Sequence, residues 1–455
     1  MQNIRIFEIQ NPWRQAKPFF SESRFIYRDV FDQIKKWLDT KDILVLLGAR
    51  QTGKSTLIFR TISELLEHGT NPQNIFYFNL DNILLQTFLK DIPELLDFID
   101  ELGVDGQKYL FIDEVQRLEN AGLFLKQLYD LNLPLKIIVS GSSTLEIRAK
   151  IKESLTGRKK VFEIFPLSLS ELNQFDPQID TQWDLFDLKT LGTKQKYHSN
   201  TLNTIIRHLL LYGGYPKVYL QEDDETKIIE LQEIYSSYLE KDVINFLNIT
   251  HPEIFNRLLL LLAHQIGNIV NIQELASALQ IGRNLIQKYL FSIEATYVAK
   301  LISPFYINKR QEVIKAKKVY FVDCGLRNFI ADNFAELALR ADKGALVENF
   351  VFQEMQKRIG LIAIKFWRTQ NKAEVDFILS KANKVIPIEV KSGQTNQAQV
   401  GKSFINFILK YQPKTGFILT ENYVDTRTIH NCHVYHIPYS WFLLLFNQIV
   451  ELLNG

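Results

Sequence analysis

Only two cysteines, Cys324 and Cys432, occur in 455 residues. They are far apart and form no C-x-x-C pair, which excludes a disulfide scaffold and suits a reducing cytosol. An excess of charge is also missing: 53 basic against 51 acidic residues leave a net charge of +2. An anionic partner therefore has to be met by a local patch rather than by the field of the whole chain. Long apolar runs are absent too. The longest, at 258–263 and 441–446, are too short to span a bilayer, and residues 1–20 lack the apolar centre of a signal peptide. The expectation is a soluble, cytoplasmic protein with no membrane partner. What the chain has is length and an apolar content of 46%, enough for several ordinary cores.

Residues Gly48, Ala49, Arg50, Gln51, Thr52, Gly53, Lys54 and Ser55 fit the phosphate-loop pattern G-x-x-x-x-G-K-[ST] at every fixed position. The apolar run 43–47 before it reads as a buried strand and 54–67 after it as a helix ended by Gly69, the strand-to-helix context the motif needs. Gly48 and Gly53 let the backbone approach oxygen atoms closely, so that N–H groups and a helix N-terminus face a polyphosphate. Lys54 is expected to reach the β- and γ-phosphates, and Ser55 to offer its hydroxyl to Mg²⁺. Further strands are expected at 74–80, 109–114 and 135–140, with helices between them, giving an α/β region with a mainly parallel sheet. The strand at 109–114 delivers Asp113 and Glu114 to its carboxyl end, a Walker B pattern. Asp113 is expected to hold Mg²⁺ through its water shell and Glu114 to orient or deprotonate the attacking water. The next strand ends in Ser140-Gly141-Ser142-Ser143, either beside a γ-phosphate or capping a helix. With Thr56, Asp113 and Ser142, the loop residues make up the expected nucleotide-binding set.

The order GARQTGKST, YLFIDEVQRL, IIVSGSS and LTGRKKVFEIFPLSLSEL resembles the AAA-type ATPase domain of a large group of prokaryotic ATP-binding proteins. In that group a carboxy-terminal domain of unknown function follows, and 211–216 and the final third match the same layout. The resemblance implies ATP and Mg²⁺ as cofactors. It also implies a role for Arg158, at the family's Gly-Arg position, in stabilising charge on the γ-phosphate, in cis or from a neighbouring subunit. The rival reading is a solvated basic stretch, since Arg148, Lys150, Lys152, Lys159 and Lys160 lie nearby.

Residues 1–22 read as an arm or first strand and 24–38 as an amphipathic helix. The polar stretch 173–201 reads as a poorly packed connection, and 202–248 as a small helical lid. Residues 272–276, 279–282 and 285–290 have helix-turn-helix spacing, and strands at 301–308 and 318–322 would complete a winged helix. Its wing sets Lys300, Lys309, Arg310, Lys315, Lys317 and Lys318 against Glu312 alone, a candidate DNA contact; the rival is a protein hinge.

From residue 343 the pattern is a helix carrying Glu348, then strands at 374–379 and 385–391. Their alternation places Glu374 with Asp376 and Glu389 with Lys391. Glu348, Asp376, Glu389 and Lys391 resemble the D-(D/E)-x-K nuclease constellation, which implies carboxylates on a divalent metal and a lysine that positions or activates water. His430, Cys432, His433 and His436 lack zinc-ligand spacing and read as a strand with exposed imidazoles. A terminal amphipathic helix is expected at 441–453.

The expected fold is α/β: an AAA-type P-loop ATPase domain (1–172), a linker and helical lid (173–250), a winged helix (251–335) and a restriction-nuclease-like domain (336–455). Expected partners are ATP and DNA, and a homo-oligomer is admitted. One rival is a nucleotide-dependent regulatory switch that binds protein or DNA without cutting; another is a small-molecule kinase.

Overall fold

Strand β1 (Ile43–Gly48), which leads into the phosphate loop, is buried along its whole length, as an apolar run on both faces requires of a central strand in a parallel sheet. The computed structural model describes residues 2–22, 25–142, 155–244, 249, 251–307, 312 and 315–454. They form two units. The first comprises Met1–Phe165, Glu240–Leu247 and Ala295–Tyr297, and the second Pro166–Leu239, Asn248–Glu294 and Val298–Gly455.

In the first unit β1 is joined by β2 (Ile75–Asn79), β3 (Lys108–Asp113), β4 (Leu135–Ser142) and β5 (Lys159–Ile164) in the order β2-β3-β4-β1-β5. Every pairing is parallel. The two-residue period of a strand sorts β1 between two cores. Ile43, Val45 and Leu47 lie with Phe76, Phe78, Leu110 and Ile112 on one face. Leu44 and Leu46 lie on the other with Leu57, Ile58 and Ile62 of the Lys54–Glu67 helix.

Two expectations near the start are corrected. Residues 1–22 hold no strand among those described: Gln2–Gln10 is a helix and Pro12–Gln15 a 3₁₀ turn, with Phe7 buried in the first core. Instead the Asn11 side chain works like a strand residue. Its Nδ2 donates to Tyr77 O (2.9 Å) and its Oδ1 accepts from Tyr77 N (2.8 Å), covering the open edge of β2. The second helix is Asp29–Lys35 rather than 24–38. It cannot begin sooner, because Arg28 is extended and sends Nη1 to Thr52 O (2.8 Å). Beyond Lys35 the chain turns, and Lys136 Nζ takes the carbonyls of Trp37 (2.5 Å), Thr40 (2.7 Å) and Asp42 (2.8 Å).

The second unit opens with helices. The stretch expected to be loosely packed is in part the long helix Leu188–Tyr212, started by Asp187, whose carboxylate accepts from Lys189 and Thr190 N–H. Leu185 and Leu191 are buried, and the Trp183 ring meets Trp441 at 5.3 Å, so apolar anchors spaced through a polar sequence suffice to order it. Helices Ile272–Leu279 and Arg283–Ala295 follow, separated by Gln280 in the left-handed region. The antiparallel pair β6 (Ala299–Ile302) and β7 (Lys318–Phe321) comes next.

Helix Lys343–Arg358 precedes a six-stranded sheet of β8 (Ala363–Arg368), β9 (Glu374–Lys381), β10 (Lys384–Val390), β11 (Thr415–Thr420), β12 (Asp425–Ile429) and β13 (Cys432–Pro438). The order is β12-β13-β11-β10-β9-β8. β8, β9 and β10 pair antiparallel in turn, as do β12 and β13, while β10, β11 and β13 are parallel, with helix Lys402–Tyr411 crossing from β10 to β11. The expected terminal helix is two, Tyr439–Leu444 and Phe446–Asn454. Among the described residues no helix is long and apolar enough to cross a membrane.

Candidate functional site

The phosphate loop is shaped by close approach and by backbone sign. A Cβ on Gly48 would lie 2.2 Å from the Ile164 carbonyl oxygen of β5, so only glycine fits there. Gln51 (φ 59) and Gly53 (φ 94) turn the chain through the left-handed region into the Lys54–Glu67 helix. Thr52 is buried and its Oγ1 donates to Ala49 O (2.9 Å), while Arg28 braces the Thr52 carbonyl. Lys54 Nζ reaches back over the loop to Gly48 O (3.0 Å) and Ala49 O (2.7 Å). Ala49 and Arg50 are partly exposed and Thr56 is exposed.

Asp113 closes β3 at the same end of the sheet and is 1% exposed. Three hydroxyls converge on its carboxylate. Ser55 Oγ (2.6 Å) and Tyr77 OH (3.1 Å) donate to Oδ2, and Ser140 Oγ donates to Oδ1. Glu114 follows in the left-handed region (φ 59), a conformation rare for a residue with a Cβ and concentrated at functional sites. Its N–H meets Ser140 Oγ (3.3 Å) and its carboxylate accepts from Gln116 Nε2. Burial, opposed by Lys54 and assisted by Asp113, pushes the Glu114 carboxyl up from its ordinary range.

Within the fourth strand, Ser140 is the residue that meets the acids. Ser142 contributes its backbone opposite Gly48, and Ser143 lies outside the described residues. The strand's alternation could have found it, since Ser140 is the hydroxyl two residues before Ser142. The residues present fit Mg²⁺: a serine hydroxyl and a buried carboxylate already share one contact, and both are hard oxygen ligands.

Arg158 is not part of this site in cis. Its carbonyl accepts from Ile43 N (2.9 Å), level with the start of β1, and its Nε pairs with Asp130 Oδ1 at 3.1 Å. The loop lies at the other end of a six-residue strand, about 20 Å away at 3.3 Å per residue. Arg148, Lys150 and Lys152 lie outside the described residues.

In the second unit, Asp376 Oδ2 accepts from Val390 N (2.7 Å), which holds β9 against the end of β10. Lys391 Nζ pairs with Glu389 Oε1, and Glu389 Oε2 is buried without a partner among the described residues. Burial, then the charge of Glu348, pushes the Asp376 carboxyl well up. Glu348 Oε1 accepts from Tyr320 OH and lies 3.4 Å from Lys318 Nζ. Lys318 also meets Glu374 Oε1 at 2.5 Å, and Arg368 Nη1 meets Glu374 Oε2 at 3.2 Å.

This overturns the place of Lys318 in a basic wing: it is 2% exposed and committed to two acids. Glu312 is likewise taken, by Lys365 (2.6 Å), and Lys309 and Arg310 lie outside the described residues. Glu348, Asp376, Glu389 and Lys391 do come near one another. The expected metal set at Glu348, Asp376 and Glu389 is nonetheless not assembled: among the described residues no group of three or more His, Cys, Asp or Glu is gathered to hold a metal ion. Of the late histidines, His436 is buried rather than exposed, with Nε2 against Gln399 O at 3.3 Å, because it shares the inward face of β13 with Cys432 and Val434.

Residues 40–173 match the AAA domain family. Residues 203–337 and 343–440 match two families described only as Domain of unknown function (DUF8612) and Domain of unknown function (DUF4143). An uncharacterized protein of Methanocaldococcus jannaschii is 27% identical over 395 residues, covering 84% of this chain and 81% of that protein. One of Haemophilus influenzae is 26% identical over 378 residues, covering 81% and 87%. Among solved structures, the Walker-type ATPase of Pyrococcus abyssi is 14% identical with a TM-score of 0.43, covering 70% of this chain and 99% of that one. The Aeropyrum pernix ORC1 protein in complex with DNA is 11% identical with a TM-score of 0.32, covering 70% and 96%. The parallel sheet with its phosphate loop is a P-loop ATPase-like core within the segment similar to AAA domains.

Proposed function

We propose that the first unit binds ATP with Mg²⁺ and hydrolyses it, and that turnover switches a DNA-binding second unit that does not cut. The observation that carries the ATPase reading is the 2.6 Å contact between Ser55 Oγ and the buried Asp113 carboxylate at the carboxyl ends of parallel strands. The loop N–H groups and the N-terminus of the Lys54–Glu67 helix cradle phosphate oxygens. Lys54 exchanges the carbonyls of Gly48 and Ala49 for the β- and γ-phosphates. Ser55 and Asp113 hold the metal, which when bound neutralises charge on the phosphate oxygens. Glu114 takes the proton of the attacking water; burial makes it a stronger base than a solvated carboxylate. Arg158, if it acts at all, acts on a neighbouring copy.

In the second unit the paired helices Ile272–Leu279 and Arg283–Ala295 with β6 and β7 support a winged helix, and Lys315 is exposed and Lys317 half-exposed to meet phosphates. A helix before a mixed sheet supports the nuclease-like fold for residues 343–440. The commitment of Lys318 to Glu348 and Glu374 favours the non-cutting reading.

The test of the ATPase reading is Lys54→Ala. A fluorescent ATP analogue should bind wild type in the presence of Mg²⁺ and bind the variant at least tenfold more weakly; equal affinity refutes the site.

A further inference from the structure

Lys318 is a charged group in a place that ordinarily costs too much for one. It is 2% exposed, and residues 267–270 pair with β7 on either side of it: Gly267 N donates to Val319 O (2.9 Å) and Val270 N to Lys317 O (2.8 Å). An ammonium taken out of water is tolerated only with well-placed counter-charges. Those counter-charges are Glu374 on β9 (2.5 Å) and Glu348, expected as a metal ligand, on the Lys343–Arg358 helix (3.4 Å). Tyr320, two residues along β7 and so on the same face, donates its hydroxyl to the same Glu348 oxygen.

The other acids also have partners within the chain, although Glu389 Oε2 has none among the described residues. Arg368 holds the second oxygen of Glu374 at 3.2 Å, and Lys391 holds Glu389. Asp376 accepts the Val390 N–H. Three cations, Lys318, Arg368 and Lys391, thus face the carboxylates of Glu348, Glu374 and Glu389, while Asp376 is held by a backbone N–H. A divalent ion near Glu348 would have to expel Lys318 Nζ from the two carboxylates it already meets.

We propose that Lys318 is the built-in cation of this carboxylate cluster, holding the place a divalent metal would take and tying β7 to the Lys343–Arg358 helix and β9. The inference does not depend on the ATPase reading.

The test uses full-length protein, free of nucleotide, in an Asp113→Asn background so that the phosphate-loop site contributes no metal binding. Mn²⁺ binding is followed by electron paramagnetic resonance and melting by calorimetry. With Lys318 present, the cluster should bind no Mn²⁺ at millimolar concentration. Mn²⁺ binding that Glu348→Gln or Asp376→Asn abolishes overturns the proposal. Lys318→Met should lower Tm by on the order of 10 °C, because two half-buried like charges lose the cation they share. Adding Glu348→Gln and Glu374→Gln to Lys318→Met should recover at least half of that loss; an unshifted Tm in the single variant, or no recovery in the triple, overturns it. Should Lys318→Met fail to fold, the pair Glu348→Gln/Glu374→Gln is compared with the triple variant. Removing the lysine from that pair should raise Tm, and a further fall overturns the proposal.

Discussion

Ser55 Oγ and Asp113 Oδ2 stand 2.6 Å apart, joining the phosphate loop to the end of β3 across 58 residues of sequence. Tyr77 and Ser140 hold the same carboxylate from β2 and β4, so Asp113 is held from three separate stretches of the fold. Such positioning before any ligand arrives is what lets a site act on charge that develops only in the transition state.

Glu114 sits beside this fixed group in a strained backbone conformation, with its carboxyl pushed up by burial. Glu114→Gln should keep nucleotide affinity within about threefold and lower turnover on the order of a hundredfold or more, the usual worth of a positioned base. The base is active when deprotonated and its pKa is raised. Wild-type kcat should therefore fall as pH drops, with a midpoint above that of an ordinary glutamate. Phosphate release measured across pH checks this; an acid limb that survives in the variant would assign it to another group.

Gly48→Ala tests the loop by packing rather than by chemistry. Its new methyl would meet the Ile164 carbonyl oxygen at 2.2 Å, and backbone in a parallel ladder has little room to yield. We expect a loss of about 1–3 kcal/mol together with weaker ATP binding. Urea unfolding and analogue titration would show both, and an unchanged midpoint would mean that β5 moves aside freely.

The first unit was legible because its signals are local. An apolar run followed by Asp113 and Glu114 can only be a buried strand that delivers acids to its end, and the loop motif fixes its own context. Arg158 misled because its neighbour in sequence, β5, runs parallel to β1, which puts the residue before β5 at the far end of the sheet. Nothing in a list of basic residues shows that topology. Lys318 misled for a related reason. Lys-Lys-Val-Tyr reads as an exposed basic strand, and the acids that bury it arrive 30 residues later and beyond. Asn11 was invisible as an edge cover, since one side-chain amide imitates a strand pair without any strand pattern.

With Lys318 withdrawn from the wing, the DNA prediction rests on Lys315 and Lys317. If both neutralise phosphates, duplex affinity should fall steeply with salt, and Lys315→Glu/Lys317→Glu should flatten the slope of log affinity against log salt by about 2. Lys318→Gln should leave the slope alone while lowering stability. No duplex binding at low salt, or a slope indifferent to the double variant, would return this region to a protein hinge.

Acid stability of the second unit should turn on His208. Its ring lies in the Leu188–Tyr212 helix, 4.8 Å from the Tyr219 ring and 5.6 Å from Tyr212, and its Nε2 is buried with no hydrogen-bond partner among the described residues. Burial, then the charges of Lys227 and Arg207, outweigh Asp224 and draw its pKa from 6.5 to about 4. Between these values the unfolded chain carries a proton that the folded one refuses, so unfolding takes up protons and is favoured by acid. The contribution is intact above about pH 6.5 and is lost as pH falls towards 4. Over the whole window it amounts to roughly 3 kcal/mol at 1.36 kcal/mol per unit. His208→Phe keeps a ring against the two tyrosines and removes the titration. Other carboxylates titrate in the same range in both proteins, so the informative quantity is the difference between the two urea midpoints at pH 7.5, 5.5 and 4.5. That difference should move in favour of the variant as pH falls; parallel curves would show that His208 takes up its proton in the folded state as readily as in the unfolded one.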